Sequence, residues 1–446
     1  MVKFLNLNDD FDLLLADSVE LWHWGKANMD WHQVFESCRE GVFPQDIRGR
    51  FAFFYRDKHN VFMCVNHVAE KPLYYTEDRC FAYLNRWVLD TELEKNDAVH
   101  EAQLGLLGFC YTIGDHTPYE QIRRVKPEHY YHNGVQYRYS DVSRPRGYIW
   151  DDELYRHLLN SSLERELATQ MQASMLFSSG RDSAVIASAL AQTQLNRKVD
   201  FYTIYHESGT HNEVDDAMSN AYQLDIAPVE LRANVTRPLD AGYEFNDSAW
   251  HVKYQTLSRY NIDGLIITGE VGNCMSYGET GKRLNYFTNC YGKIKPEEIA
   301  SMICSHVENF KQTCTNTSTF SDQFLRDSVH APIAWQMIVD DVADDLNRWG
   351  FHYSKDLDYK RNCIINAGSL HHKVFRLRGY SQDTGRQYFH PLADYYVMEY
   401  TLGLSWFERE QHDIAKWYYQ RAYQQSGPFA IAAWNNNVRG LGIKCQ

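Results

Sequence analysis

The first third of the chain has the hydrophobic pattern of β-strands. Runs 51–57 and 61–65 are rich in aromatic and β-branched residues, and a polar turn separates them. Run 71–75 continues the pattern, and a polar stretch with Pro and Gly at 139–147 marks a linker. The pattern predicts an amino-terminal antiparallel β-sheet domain over residues 1–145.

After the linker, helical and strand patterns alternate. Leucines recur at helical spacing from Leu154 to Leu167, and β-rich runs follow at 199–205 and 228–231, separated by a helical run. Strands that alternate with helices favour a doubly wound parallel sheet. We therefore expect an α/β domain over residues 150–446, with a helical carboxyl-terminal part.

Composition narrows the class of protein. The 446 residues are 44% hydrophobic, which is ample for packed cores. The net charge of −13 argues against a nucleic-acid partner held by bulk charge. No apolar stretch approaches about 18 residues, and the first residues lack the apolar core of a signal peptide. We expect a cytoplasmic protein with no membrane partner, whose ten scattered cysteines are reduced thiols.

The most informative stretch is 175–190, where an apolar run passes through a turn of small residues into a helix. Such a turn points backbone N–H groups and the positive end of the helix at one spot, which suits a pyrophosphate. Ser183 can add a hydroxyl donor, and Asp182 is placed to hold a Mg²⁺ ion that bridges phosphate oxygens. The spacing and lysine of a Walker loop are absent.

A second chemical stretch, 264–278, is a hydrophobic strand that runs into a glycine-rich turn. In a doubly wound sheet this turn would lie beside the first and complete a cleft over the phosphates. Glu270 is a candidate catalytic residue in the substrate pocket. The residues predicted to bind the nucleotide are Phe177, Ser178, Ser179, Gly180, Asp182, Ser183, Thr203 and Gly269.

These two stretches resemble motifs of the asparagine synthetase family. Residues 178–183 are similar to its S-G-G-x-D-S pyrophosphate loop, with Ser179 at the second-position glycine, and residues from Thr268 onward are similar to S-G-E-G-x-D-E. The family's metal-binding aspartate falls on Asn273 and the following glutamate on Cys274. Because an amide is a weaker Mg²⁺ ligand than a carboxylate, metal binding at Asp182 and Asn273 would depend mainly on Asp182 and on ATP itself.

The amino-terminal half carries the resemblance independently. Residues 49–57 and 65–75 are similar to the family's glutaminase signature, G-x-F-A-x-x-x-x-D followed by R-D-x-x-G-x-K-P-L-Y-Y, with Ala69 at the glycine. Glutamine hydrolysis in that Ntn-hydrolase-like domain needs an amino-terminal cysteine. The chain begins with Met1, and no cysteine precedes Cys38. We expect a degenerate glutaminase-like domain without glutaminase activity.

Two further segments extend the resemblance toward the carboxyl end. Residues 385–394 are similar to the family's R-x-P-F-L-D segment, with Pro391 and Asp394 in place. The family's late lysine, which steadies negative charge on the adenylate, should fall within 437–444. Both Arg439 and Lys444 stay candidates for this catalytic role.

The resemblance implies an ATP-dependent amide ligase that uses ATP and Mg²⁺, similar to β-lactam synthetases and lasso peptide cyclases. Such enzymes adenylate a small-molecule or peptide carboxylate, and an amine or ammonia then displaces AMP. Two other interpretations stay open: a pseudoenzyme with a binding or regulatory role, and a tRNA- or nucleobase-modifying enzyme built on the same loop. A homodimer is compatible with the sequence.

Overall fold

The computed structural model describes most of the predicted strands and helices. The described residues are 4–6, 11–16, 18–78, 80–82, 115–117, 119–142, 144–178, 180–206, 214–224, 226–233, 248–272 and 386–405, with single positions 336, 340, 343, 344, 347, 356, 359, 362 and 408. The chain divides into two compact units. The amino-terminal unit is Met1–Val142, Asp240–Asp247 and Phe287–Gln382, and the carboxyl-terminal unit is Ser143–Leu239, Ser248–Tyr286 and Asp383–Gln446.

Two sheets and a helix form the described part of the amino-terminal unit. The elements are β1 (Phe4–Asn6), β2 (Asp12–Ala16), β3 (Val19–Ala27), α1 (Trp31–Arg39), β4 (Gly49–Arg56), β5 (Val61–Val65), β6 (Leu73–Tyr75), β7 (Cys80–Ala82), β8 (Arg123–Arg124), β9 (His129–His132) and β10 (Val135–Arg138). The larger sheet is antiparallel throughout, in the order β10-β9-β5-β4-β3-β2, and the smaller sheet has the order β1-β7-β6-β8. The predicted antiparallel strands are therefore present.

The core of this unit follows from alternation along β4. Successive strand residues point to opposite faces of a sheet, so Phe51, Phe53 and Tyr55 share one face and Phe54 lies on the other. The first face packs against α1, and the second packs with residues of the smaller sheet such as Leu73. The centre of the larger sheet, at β4, is thus buried on both faces.

A parallel sheet forms the centre of the carboxyl-terminal unit. Its elements are α2 (Asp152–Leu167), β11 (Ala173–Leu176), α3 (Arg181–Gln192), β12 (Val199–His206), α4 (Val214–Gln223), β13 (Val229–Ala233), α5 (Ser248–Arg259), β14 (Leu265–Ile267), β15 (Gln387–Phe389) and α6 (Tyr395–Gly403), with short 3-10 helices at Leu195–Lys198 and Pro391–Ala393. The order is β13-β12-β11-β14-β15, and every neighbouring pair is parallel. The expected mixed α/β class with a parallel sheet is confirmed.

The direction of winding reverses beside β11. The chain proceeds from β11 to β12 and β13 on one side, then places β14 and β15 on the other side. In open α/β sheets, ligands bind outside the carboxyl ends of the strands at such a switch point. The fold therefore directs attention to the turns that follow β11 and β14.

Helix α2 forms over the predicted range, but its buried stripe differs from the pattern of its leucines. Tyr155, Leu159, Leu163 and Leu167 are fully buried, whereas Leu154 is 42% exposed. Asp151 caps this helix by accepting hydrogen bonds from the N–H groups of its first turn. The spacing of the leucines predicted where the helix lies, but not which of its residues are buried.

The segment before α2 is attached to α6. The N–H groups of Arg146 and Tyr148 donate to the carbonyl of Gly403 at 2.9 and 3.1 Å. Arg146 also forms an ion pair with Glu399 at 2.8 Å. The predicted linker thus packs on the last turn of α6 within the carboxyl-terminal unit.

Within the described ranges, every helix is too short or too polar to cross a lipid bilayer.

Candidate functional site

The loop after β11 starts beside buried residues of the parallel sheet. Leu176 pairs with Tyr202 on β12, so the next residues, Phe177 and Thr203, lie level with each other. The Phe177 N–H donates to the Tyr202 carbonyl at 2.8 Å, and its ring contacts Phe201 edge to face. Phe177 and Thr203 are both buried. They form the floor from which the loop leaves the sheet.

Two serine hydroxyls close this loop onto the first turn of α3. The Ser183 hydroxyl lies 2.9 Å from the carbonyl oxygens of Ser178 and Gly180, and it accepts from the Ser178 N–H at 3.2 Å. The Ser178 hydroxyl accepts from the Gly180 N–H at 3.1 Å and lies 3.1 Å from the Ser183 hydroxyl. Both predicted serines therefore shape the loop itself.

The beginning of α3 has the features of an anion-binding helix end. Gly180 is its N-cap with extended backbone, and as a glycine it has no side chain with which to cap the first-turn N–H groups. The first N–H groups of a helix lack intrahelical acceptors and carry the positive end of its dipole. Asp182 is the acidic residue of this first turn. A phosphate chain and a cation can therefore be held side by side at this helix end.

The glycine-rich turn after β14 lies directly against this helix end. A methyl group on Gly269 would lie 2.7 Å from the Ser183 nitrogen, and one on Gly272 would overlap the Asp182 carboxyl group. Only glycine permits so close an approach to the backbone of Ser183 and to the carboxylate of Asp182. The structure thus brings together the two stretches on which the sequence analysis depended.

Between these glycines, the turn contains a strained residue. Val271 is buried and has a φ of 68°, in the left-handed region that β-branched residues avoid. The glycine of the S-G-E-G-x-D-E motif falls on this position. The turn therefore keeps the backbone conformation of a glycine with a valine side chain.

The turn is anchored to the neighbouring strand β15. The Thr268 N–H donates to the Phe389 carbonyl at 3.0 Å. The Thr268 hydroxyl lies 2.8 Å from Nδ1 of His390 and accepts from the Glu270 N–H at 3.4 Å. Thr268 and His390 are each 2% exposed. Glu270, the predicted catalytic residue, thus lies in a turn whose start is fixed by a buried side-chain pair.

Gly272 and His390 are site residues that were not predicted from the sequence. Gly272 lies in the glycine-rich turn, which was the available signal. His390 lies in the segment similar to R-x-P-F-L-D, but only the pairing of Ile267 with Phe389 brings it level with Thr268. Asp394 of that segment accepts a hydrogen bond from Tyr396 N–H at the start of α6 and pairs with Arg165 at 2.7 Å.

Several predicted residues lie outside the described residues. They are Ser179, Asn273, Cys274, Arg439 and Lys444. Within the described part of the chain, no group of three or more His, Cys, Asp or Glu side chains could hold a metal ion. Mg²⁺ in nucleotide sites is commonly bound by one or two carboxylates together with phosphate oxygens. Asp182, at the beginning of α3, is one such carboxylate.

The glutaminase-like signature in the amino-terminal unit has different surroundings. Arg50 forms an ion pair with Glu70, and its guanidinium lies 5.1 Å from the ring centroid of Trp24. The Lys71 ammonium lies 5.4 Å from the same ring. Ala69, at the signature's glycine, is buried with a φ of 44°. These side chains are partnered within the unit.

The described cysteines are buried free thiols: Cys38, Cys64 and Cys80. Burial raises the pKa of Cys80 to about 12 and holds the pKa values of Cys38 and Cys64 well above that of an exposed thiol. The reactive form of a cysteine is the thiolate, so a nucleophilic cysteine needs a lowered pKa. These three residues are packing residues.

Comparison with protein families gives one match that covers about a quarter of the chain. Residues 154–271 match the family model for asparagine synthase. The match begins in α2, contains the loop after β11, and ends at Val271 in the second turn. The predicted resemblance to this family is confirmed over residues 154–271. A search of curated proteins found no match.

Proposed function

We propose, on the premise that residues 154–271 form an asparagine synthase domain, that this protein is an ATP-dependent amide-forming ligase. It would join the carboxylate of a small molecule or peptide to an amine or ammonia. The observation that carries the proposal is the meeting of the two turns at the switch point, where Gly269 and Gly272 contact the Asp182–Ser183 backbone and carboxylate.

The proposed reaction has two steps. A carboxylate oxygen of the substrate attacks the α-phosphorus of ATP, and the bond from that phosphorus to the β,γ-pyrophosphate breaks. The amine nitrogen then attacks the acyl carbon, AMP leaves with the bonding electrons, and the amine loses a proton. The net products are the amide, AMP and pyrophosphate.

The chain's own residues supply the binding part of this chemistry. The first N–H groups of α3, with the hydroxyls of Ser178 and Ser183 close by, would hold the pyrophosphate portion of ATP. Asp182 would hold Mg²⁺, which neutralises phosphate charge when bound. Preorganised N–H groups stabilise the charge that develops as pyrophosphate leaves. Glu270, Asn273, Arg439 and Lys444 remain proposed site residues.

We also propose that the ligase has no glutaminase activity of its own. The described cysteines of the amino-terminal unit are buried with raised pKa values. Within the segments similar to the signature, Arg50 and Lys71 lie over the ring of Trp24, and Glu70 pairs with Arg50. The nitrogen would therefore come from a free amine or ammonia.

Oxygen transfer tests the proposed chemistry directly. Candidate acids with ¹⁸O in the carboxylate are incubated with ATP, Mg²⁺ and a panel of amines. Attack on the α-phosphorus places one ¹⁸O in AMP and releases unlabelled pyrophosphate, both detectable by mass spectrometry. Formation of ADP, or of AMP without label, would contradict an acyl-adenylate route.

Calorimetry with ATP and Mg²⁺ should precede this screen. Binding that depends on Mg²⁺ supports a functioning nucleotide site. No binding would favour the alternative of a degenerate, asparagine synthetase-like protein with a binding or regulatory role. The observation on that side is the amide of Asn273 at the family's metal-binding aspartate.

A further inference from the structure

The buried pair of Thr268 and His390 links the ATP-site turn to strand β15. We propose that His390 is a positioning residue that acts through Thr268 to hold residues 269–272 against the first turn of α3. The effect of His390 on ATP binding rests on the proposed function, whereas its effect on the position of the turn does not.

Strand register places the two side chains side by side. Ile267 on β14 pairs with Phe389 on β15, and the next residues are Thr268 and His390. The Thr268 hydroxyl and His390 Nδ1 are 2.8 Å apart, and both residues are 2% exposed. A hydrogen bond in such a dry place is costly to lose, because the remaining partner stays buried without water.

The Thr268 hydroxyl oxygen has partners on both sides. It accepts from the Glu270 N–H at 3.4 Å and lies 2.8 Å from His390 Nδ1. Because a hydroxyl can donate and accept at the same time, the bond to Nδ1 forms with either tautomer of the imidazole. This arrangement directs one threonine oxygen to both the turn and the neighbouring strand.

The position of Thr268 controls a contact that has no spare room. Gly269 follows Thr268 directly and already lies so close to the Ser183 nitrogen that a methyl group would clash. His390 itself is fixed, because its carbonyl accepts from the Ala393 N–H at 2.8 Å in the 3-10 helix before α6. Loss of the pair would allow the turn to move away from the helix end.

The test uses variants that remove or keep the bond without changing size greatly. Thr268→Val and His390→Leu remove it, whereas Thr268→Ser keeps the hydroxyl and His390→Asn places an acceptor oxygen near the Nδ1 position. Thr401→Val is the matched control, since Thr401 is also buried and its hydroxyl donates within α6 to the Val397 carbonyl at 2.7 Å.

Hydrogen exchange of the nucleotide-free protein is the first measurement. In Thr268→Val and His390→Leu, amides of 269–272 should exchange about tenfold faster, while β11 stays protected. Thr268→Ser, His390→Asn and Thr401→Val should exchange like the parent in this turn. Unchanged exchange in both disrupting variants would overturn the proposal. Equal acceleration in Thr401→Val would show general loosening and would also overturn it.

ATP binding is the second measurement. The two disrupting variants should weaken Mg²⁺-dependent ATP binding about tenfold, and the double variant should be no weaker than either single one because both remove the same bond. Faster turn exchange with unchanged ATP affinity would overturn the positioning role. If the parent binds no ATP, the proposed function fails, and hydrogen exchange alone still decides whether the pair holds the turn.

Discussion

Two aspartates of family-like motifs, one in each unit, have opposite surroundings. Asp57 ends the glutaminase-like signature, and its carboxylate accepts from the N–H groups of His59 and Asn60 at 2.6 Å and from the Tyr55 hydroxyl at 2.7 Å. Asp182, in the pyrophosphate-loop motif, lies at a helix end where the backbone of Gly272 approaches its carboxylate. The Asp57 carboxylate accepts hydrogen bonds from donors of its own turn, whereas Asp182 lies where the loop after β11 meets the turn after β14.

The role of a retained motif residue therefore has to be inferred from the residues that it contacts. In the amino-terminal unit, signature side chains hold the β4–β5 turn and pack around Trp24. In the carboxyl-terminal unit, motif residues are small or polar and converge on the switch point. Substitutions in the first unit should change stability, and those in the second should change ligand binding.

The largest expected effect is on Asp182. Asp182→Ala should weaken Mg²⁺-dependent ATP binding at least about 100-fold, because the loop loses its carboxylate ligand for the cation. Calorimetry measures this loss, and thermal unfolding should show little change. The matched control is Asp200→Ala, an exposed aspartate at the opposite end of the parallel strands. Equal weakening by both variants would remove Asp182 from the site.

Asp57→Ala should act in the opposite way. We expect a loss of about 2 kcal/mol in the free energy of unfolding, because several donors of the β4–β5 turn lose their acceptor. ATP affinity should stay unchanged. Urea unfolding and calorimetry on the same preparation check both parts. Weaker ATP binding without a loss of stability would contradict the contrast between the two aspartates.

The pH dependence of the parent follows from the same carboxylate. Burial raises the pKa of Asp57, but hydrogen bonds from His59, Tyr55 and Asn60 outweigh it and lower the pKa below the ordinary 3.8. The folded state therefore binds this proton less readily than the unfolded chain. Its contribution to stability is complete above about pH 5 and is lost as the pH falls through the lowered pKa. Asp57→Ala should flatten this part of the stability profile.

Substitutions at Gly269 and Gly272 test two different contacts, one with the backbone of Ser183 and one with the carboxylate of Asp182. Gly269→Ala meets the Ser183 backbone and should lower both stability and ATP affinity, whereas Gly272→Ala meets the Asp182 carboxylate and should weaken ATP binding about tenfold with little loss of stability. The check is a double variant with Asp182→Ala. In that background, Gly272→Ala should have no further effect on ATP affinity.

The smallest expected effect concerns Val271. Val271→Gly should be more stable than Val271→Ala by about 1 kcal/mol, the reverse of the usual order, because only glycine is unstrained at this positive φ. Comparing these two variants cancels the loss of the buried side chain. Thermal unfolding decides the order, and a more stable alanine variant would show that the turn does not hold this conformation.

The part of the site that one continuous segment forms could be predicted from the sequence, whereas the contacts between distant strands could not. The strand, loop and helix from Met175 to Leu190 form one continuous segment, so its pattern sufficed. Thr268 and His390 are 122 residues apart, and nothing in the local pattern shows that β14 and β15 pair. Similarly, leucine spacing located α2, but packing buried Tyr155 and left Leu154 exposed. The pairing of distant strands and the packing of α2 depend on residues far apart in the chain, so the local sequence pattern does not contain them.

The position of β15 in the sheet has a consequence for synthesis on the ribosome. Strand β14 is made early but has its second neighbour only when residues 387–389 have emerged. Until then one edge of β14 has unpaired backbone groups, and Thr268 lacks its anchor on His390. A nascent chain therefore contains the loop after β11 long before the turn after β14 can be anchored to β15, so a nucleotide site of the kind proposed would form only in chains that have passed residue 390.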